Sequence, residues 1–413
     1  MQREVRRSII SGRIAAPPSA AVAHRAIIAA SFADGQSVIS NVPFSPSIMA
    51  TVGICDSICA DIMTEGGIAD VIGGGEMNVP SEINCGESNT ALKLFMGIFS
   101  HFETQVEFNG AGPLLTNSLR PFTAYLDQAS AYTFNPSTAL PLKIRGPIKS
   151  EQLLYFTPLG TQFLSGILIG APLRDEETEI GISGEFPDRN CLDSTIEIMK
   201  KAGIDFVATE SDYVLLPGGQ GYEPLKEFDV PGSKRLSSYF LLAGVLGGKC
   251  VLENMPEFSK LELLFARFKA FSSYSDGTFT SGAGALEAAD IDSAWAGELL
   301  PHALVMGSVA KGDSRFTGFS RLHHRGHARA RKMVKALSKM GAAITEIPDG
   351  VLISGGKLHG AEINPEGDAE IAMACAAAAL VADGPTTINE AECVERTCPD
   401  FFRSMVSLGA IVR

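Results

Sequence analysis

The sequence predicts an α/β fold assembled from six copies of one unit, strand, helix, strand, helix, strand, strand, divided over two domains. Three observations carry that prediction. An apolar, small-residue helix, a polar turn that often holds glycine and a short β-rich run recur six times, at a spacing of about 70 residues, longer than most solenoid repeats. A second, more amphipathic helix follows each copy, and extended runs follow that. Six such units are too many for one core of ordinary size, so two domains of about 200 residues are expected.

In chain order, the first copy runs from Ala26 to Ala33, through Asp34-Gly35-Gln36, to Ser37–Asn41. The second is Ala91–Phe99 with Thr104–Phe108, and the third is Phe163–Ala171 with Glu177–Ile182. The fourth joins Tyr239–Leu246 to Cys250–Glu253 through Gly247-Gly248-Lys249. The fifth joins Leu299–Val309 to Ser314–Thr317 through Lys311-Gly312-Asp313, and the sixth joins Ile371–Val381 to Thr386–Asn389 through Asp383-Gly384-Pro385. Second helices are clearest at Cys191–Lys201, Leu261–Phe271, His327–Met340 and Asp400–Leu408, and extended runs at Phe206–Leu216 and Val351–Ser354.

A formal net charge of -13 over 413 residues argues against a nucleic-acid surface. No apolar run is long enough to cross a bilayer, and the opening Met-Gln-Arg-Glu-Val-Arg-Arg lacks the apolar core of a signal peptide, so the cytoplasm is the expected address. Eight cysteines, most of them inside apolar runs, read as buried thiols rather than a disulfide framework. Cys55 and Cys59 stand one helical turn apart with no second ligand pair nearby, and no metal is expected there or at Cys393 and Cys398.

The stretch Ile14 to Ala26 orders the rest. Pro17 and Pro18 stiffen an extended entry, Ser19 can cap a following helix, and His24 and Arg25 ride on its first turns before an apolar run. Such a corner offers an anion a helix N-terminus and a guanidinium, although a capped helix with a solvated Arg25 fits the same residues. The densest basic cluster is His323, His324, Arg325, His327, Arg329, Arg331 and Lys332, at the start of another helix. Its histidines have the ordinary pKa for acid-base work near neutrality, and a solvated basic face is the alternative. Because His323 and His324 point to different sides of a helix, no metal is assigned to them.

The repeat and the Pro-Pro-Ser…His-Arg-Ala corner are accompanied by Cys85–Lys93, Leu119-Arg120-Pro121, Leu140–Gly146, Gly160-Thr161-Gln162-Phe163, Ser237–Phe240, Gly367–Ala374 and Glu392-Cys393-Val394. In that order and at that spacing, the chain resembles the 5-enolpyruvylshikimate-3-phosphate synthase family over essentially its whole length. The resemblance implies the two-lobed enolpyruvyl transferase fold, an inside-out α/β barrel of six βαβαββ repeats, three per lobe. One lobe is expected over residues 16–230, the other over 1–15 plus 231–413, with the active site in the cleft. It further implies transfer of the enolpyruvyl group of phosphoenolpyruvate to shikimate 3-phosphate or a related anionic acceptor, in the shikimate pathway, by a monomer without cofactor. A sister family from peptidoglycan precursor synthesis carries a cysteine-bearing loop that has no convincing counterpart here.

Carried over position by position, the resemblance implies that Arg25, Thr161, Gln162 and Arg325 bind the acceptor. Asn89, Arg120, Arg329 and Arg396 are implied for phosphoenolpyruvate, and Glu298, His324 and His327 for acid-base chemistry. The departures fall on the chemistry. The family's lysine and serine after Pro-Pro-Ser are Ala20 and Ala21, a glutamate is replaced at Gly326, and Glu370 puts a carboxylate where a phosphate-binding arginine belongs. Loss of a positioned acid-base group typically costs about 10²- to 10⁴-fold. A paralogue that binds an anion without enolpyruvyl transfer is therefore the alternative reading.

Overall fold

A helix that is apolar all round has to be surrounded by other elements, and that requirement shapes this chain. The structure, a computed structural model, describes residues 1–413 except 75–76, 130, 135–138, 149–151, 157–158, 184–188 and 209–212. It divides into two compact units, Pro18–Val230 and Met1–Pro17 with Pro231–Arg413.

Each unit holds three four-stranded sheets among the described residues, four of them in the chain order first strand, second, fourth, third; in the other two, Lys226–Asp229 stands as the first strand and Arg3–Arg6 as the fourth. The sheet of Glu82–Asn84, Val106–Asn109, Leu142–Arg145 and Tyr132–Phe134 shows the pattern. Ile83 pairs in parallel with Phe108, Phe108 antiparallel with Leu142, and Thr133 antiparallel with Ile144. A parallel first pair needs a crossover, and the apolar helix Asn89–Phe99 supplies it. The βαβαββ unit is thus present in the order read from the sequence.

Two first strands are exchanged along the chain. Ile10–Ala15 precedes the helix Ala20–Phe32 but pairs in parallel with Gly248–Glu253, Cys250 lying opposite Gly12. Lys226–Asp229 precedes the helix Lys234–Gly247 but pairs in parallel with the strand Asp34–Ser40, Phe228 opposite Ile39. The chain passes from one unit to the other just after each of these strands. Pro17, Pro18 and Pro231 stand at the two passages, where fixed φ holds the chain extended and no backbone donor is needed. Each passage ends in a serine N-cap: Ser19 Oγ accepts from Val22 N at 3.4 Å and Ser233 Oγ from Leu236 N at 3.3 Å.

Within Pro18–Val230 the helices Asn89–Phe99 and Thr161–Gly170 cross at glycine. A Cβ on Gly166 would lie 2.1 Å from the Leu94 carbonyl oxygen, and one on Gly97 2.6 Å from that of Phe163. The close backbone approach leaves no room for side chains there, which are displaced to either side as Leu94, Phe95, Phe163 and Leu164, all fully buried. In the other unit, Ala369–Ala379 reaches the same end with alanine; every residue of that helix is buried. The eight cysteines are free, and burial raises the thiols of Cys59, Cys85, Cys250 and Cys375 to about 12, so they behave as small apolar groups.

Three histidines are buried with these helices: His24, His101 and His302. Burial lowers each to a pKa of about 3. His24 Nδ1 lies 2.7 Å from Thr51 Oγ1, and His101 Nε2 donates to the Ile167 carbonyl at 2.9 Å.

Two outcomes follow from this packing. Gly166→Ala should lower unfolding stability by about 1–3 kcal/mol or more through overpacking. Gly53→Ala, in the helix Pro46–Ile58 with nothing within 4 Å of the added Cβ, should raise it by about 0.5–1 kcal/mol. Urea unfolding of both variants checks the pair. The histidines set a pH dependence: below about 6.5 the unfolded chain takes up protons that the folded chain refuses, until the pH approaches about 3. Stability should therefore fall as pH falls from 6.5, with a slope of up to about 1.4 kcal/mol per pH unit for each histidine. His101→Gln, which keeps a donor for Ile167, should flatten the slope between pH 6.5 and 5 by one proton's share; an unchanged slope contradicts the assignment.

Candidate active site

Three of the candidates, Asn89, Thr161 and Gln162, stand in the first turns of buried helices, where an otherwise enclosed helix meets polar surroundings and presents unpaired N–H groups. In Pro18–Val230, Asn89 opens the helix Asn89–Phe99 and is exposed, with Ser88 Oγ accepting from Ala91 N at 3.0 Å as its cap. Thr161 and Gln162 open Thr161–Gly170 behind Gly160, whose φ of 75° suits glycine. Arg120 is exposed at the start of Arg120–Gln128.

Arg25 lies elsewhere than a solute-facing surface. Its side chain has no accessible area, and its N–H groups are already engaged. Nε donates to Thr195 Oγ1 at 2.6 Å, Nη1 to the Ala21 carbonyl at 2.7 Å, and Nη2 to Ser165 Oγ at 2.7 Å and Cys191 Sγ at 2.9 Å. The expectation of a substrate-binding Arg25 is corrected on this point: the guanidinium braces three helices from within, and its partners are neutral.

The other unit carries a cavity of about 300 Å³ at the start of Ala369–Ala379, lined by Arg235, Arg329, Lys332, Glu366, Asp368 and Glu370 together with Ala328, Gly367, Ala369 and Thr397. Asp368 caps the helix, its Oδ1 accepting from Glu370 N at 3.0 Å, and its Oδ2 accepts from Arg329 Nε at 2.8 Å. Glu370 projects from the first turn, where the helix end favours a negative charge. Its Oε1 accepts from Arg235 Nη1 at 2.8 Å and its Oε2 from Arg329 Nη1 at 2.6 Å. Tyr239 OH donates to the same Oε2 at 3.3 Å.

These contacts settle the electrostatics. Glu370 keeps only 4% of its side chain exposed and would be expelled as an unpaired charge, but two guanidinium groups compensate it. Burial works against the Arg329 charge, yet Glu370 and Asp368 more than offset it and hold the guanidinium above its ordinary pKa. Tyr239 is raised well above 10 by burial and then by Glu370, so it stays a neutral donor. The His302 ring lies against Tyr239, the centroids 4.3 Å apart and the planes inclined by 33°.

The remaining candidates take other places. The basic cluster is split: Arg329 and Lys332 enter the cavity, while His324 is exposed and His327 half-buried on the helix His324–Lys339 outside the lining. His323 caps that helix, its Nδ1 accepting from Gly326 N at 3.2 Å. The Arg325 side chain lies outside the described residues. Glu298 sits in the turn Gly297–Leu299, where its charge supports that of Lys260, whose pKa burial lowers. Arg396 is exposed on Glu392–Thr397, whose last residue, Thr397, does line the cavity. The sequence reading missed Arg235. Its signal was the Pro231-Gly232-Ser233 entry, which repeats the form of Pro17-Pro18-Ser19 and marks the same kind of helix start.

Comparison with known proteins places this geometry. The family model for EPSP synthase (3-phosphoshikimate 1-carboxyvinyltransferase) matches residues 6–405. A protein named 3-phosphoshikimate 1-carboxyvinyltransferase from Methanocorpusculum labreanum is 32% identical over 423 aligned residues, covering 100% of both chains. One of the same name from Methanothrix thermoacetophila is 32% identical, covering 99% of this chain and 98% of its own. Another from Clostridium perfringens is 29% identical over 98% of each. The solved EPSP synthase of Acinetobacter baumannii superposes with a TM-score of 0.87 over 100% of this chain and 99% of that one, at 21% identity, which supports the fold. With its six βαβαββ repeats and a family match across nearly its whole length, the chain belongs to the EPSP synthase (3-phosphoshikimate 1-carboxyvinyltransferase) family and has the two-lobed enolpyruvyl transferase fold.

Proposed function

We infer that this protein is a transferase that moves the enolpyruvyl group of phosphoenolpyruvate onto a hydroxyl of shikimate 3-phosphate. The observation that carries the reading is full-length similarity, at 32% identity, to a relative named for that reaction. The chemistry sets the tasks. The acceptor oxygen bonds to C2 of the donor and gives up its proton while the methylene carbon gains one, forming a tetrahedral intermediate. The C–O bond to phosphate then breaks, phosphate leaves with the electron pair, and the methyl carbon returns a proton to restore the vinyl group. Such a sequence needs one group to deliver protons and one to accept them, with cations to hold two phosphates and two carboxylates.

Glu298, His324 and His327 are the groups assigned to proton transfer, in place of the lysine and glutamate that Ala20 and Gly326 do not supply. Arg329, Lys332 and Arg235 form the donor's cationic wall, with Arg120, Asn89 and Arg396 as further contacts. Thr161, Gln162 and Arg325 are assigned to the acceptor. Support for the donor pocket is that Arg235, Arg329 and Lys332 converge on one cavity at a helix N-terminus, although Glu366, Asp368 and Glu370 line it too. No helix among the described residues is long and apolar enough to cross a membrane.

The test is phosphate release by the purified chain with both substrates, followed by identification of the enolpyruvyl product. Release that requires both substrates is expected; no release with either or both would overturn the reading. Among variants, Glu298→Gln and His327→Asn should each lower kcat by about 10²- to 10⁴-fold if they carry the proton transfers. Arg329→Ala should raise the KM for phosphoenolpyruvate by an amount equivalent to about 1.5–3 kcal/mol, the scale of a charged hydrogen bond.

A further inference from the structure

The cavity at the start of Ala369–Ala379 is lined by three cations, Arg235, Arg329 and Lys332, and by three carboxylates, Glu366, Asp368 and Glu370. The cations are already matched one for one, an unusual state for a pocket that must attract an anion. The three carboxylates differ in what else they do. Glu366 is about half exposed and pairs with Lys332 at 3.2 Å and Lys335 at 3.7 Å, so it belongs to the rim. Asp368 caps the helix through Glu370 N with one oxygen and takes Arg329 Nε at 2.8 Å with the other. Glu370 alone reaches across the floor, and its two oxygens divide between two guanidinium groups that come from different helices, Lys234–Gly247 and His324–Lys339. A side-chain carboxylate thus takes hydrogen bonds that a carboxylate on a ligand would seek from the same groups.

We propose that Glu370 is the specificity-setting residue of this pocket, a resident carboxylate that pairs with Arg235 and Arg329 and must yield at least one of them before a carboxylate-bearing donor can bind. The proposal rests on the reading that phosphoenolpyruvate is held here. Glu370 bridges the two guanidinium groups, one oxygen to each, and Asp368 holds Arg329 as well. The proposal makes donor affinity a difference between two carboxylates competing for one pair of cations, so the resident one weakens binding. Arg235 is about half exposed, which leaves an incoming anion a side from which to approach and displace the internal partner.

The experiment is calorimetric titration with phosphoenolpyruvate alone of the wild-type chain and Glu370→Gln, with thermal unfolding of both as a control. The amide keeps the size and one acceptor but removes the charge, so binding should tighten at least tenfold, and the KM for phosphoenolpyruvate should fall while that for the acceptor is unchanged. Glu370→Asp serves if the amide does not fold: one methylene shorter, it cannot bridge both guanidinium groups, and binding should again tighten. Unchanged or weaker binding in a folded variant overturns the proposal, because a merely structural Glu370 has no means of improving affinity when removed. Turnover separates the two claims. Tightened binding in a protein without turnover would remove the transferase reading and leave this one, and turnover without tightening would do the reverse.

Discussion

The structure depends on one constraint: its six principal helices are apolar on nearly every side, so each is enclosed along its length and meets polar groups chiefly at its N-terminal turns. Ala369–Ala379 has eleven buried residues, and Ala20–Phe32 is buried from Val22 to Phe32. Close approach is made possible by glycine in one unit and alanine in the other. Function has to be concentrated at the helix starts, because the rest of each helix is committed to packing. Asn89, Thr161, Arg235 and Glu370 all stand in such first turns.

Enclosure also explains why the polar residues that do enter the core are so fully bonded. Arg25 bonds to a carbonyl, two hydroxyls and a thiol, and Glu370 to two guanidinium groups and a phenol. A buried charge with one partner missing is costly, so neither can be cut back singly without leaving its partners exposed to the same penalty. The two sites differ in what they leave available. Arg25 has neutral partners and no accessible surface, and it braces. Glu370 borders a cavity and has partners that are themselves natural anion ligands.

Much of the fold was legible because its signals are local. Turn glycines, serine caps after proline and the apolar runs gave the six helices and the order of strands within each repeat. The exchange of Ile10–Ala15 with Lys226–Asp229 was legible only through the family resemblance, which grouped residues 1–15 with 231–413, since each strand is adjacent in sequence to a helix it does not serve and pairs instead with residues about 200 or more positions away. The candidate site shows the same division. That Arg329 and Glu370 matter could be read from motifs, but their pairing could not. Glu370 meets Arg235 across 135 positions and Arg329 across 41, and Arg25 meets Ser165 across 140. Charge alone suggested a carboxylate repelling an anion; only the contacts show it to be neutralised. The basic run from His323 to Lys332 misled in the other direction, because helical geometry sends its members to a cap, to solvent and to the cavity in turn.

The most direct measurement is a pair of crystal structures of the wild-type chain, one grown without ligand and one with phosphoenolpyruvate alone. The account predicts that the empty crystal shows the Glu370 carboxylate within hydrogen-bond distance of both Arg235 and Arg329. In the second crystal an anionic group of the donor should sit on those guanidinium groups, with Glu370 turned away from at least one of them. An empty protein with Glu370 turned to solvent, or a donor bound away from Arg235 and Arg329, would contradict it.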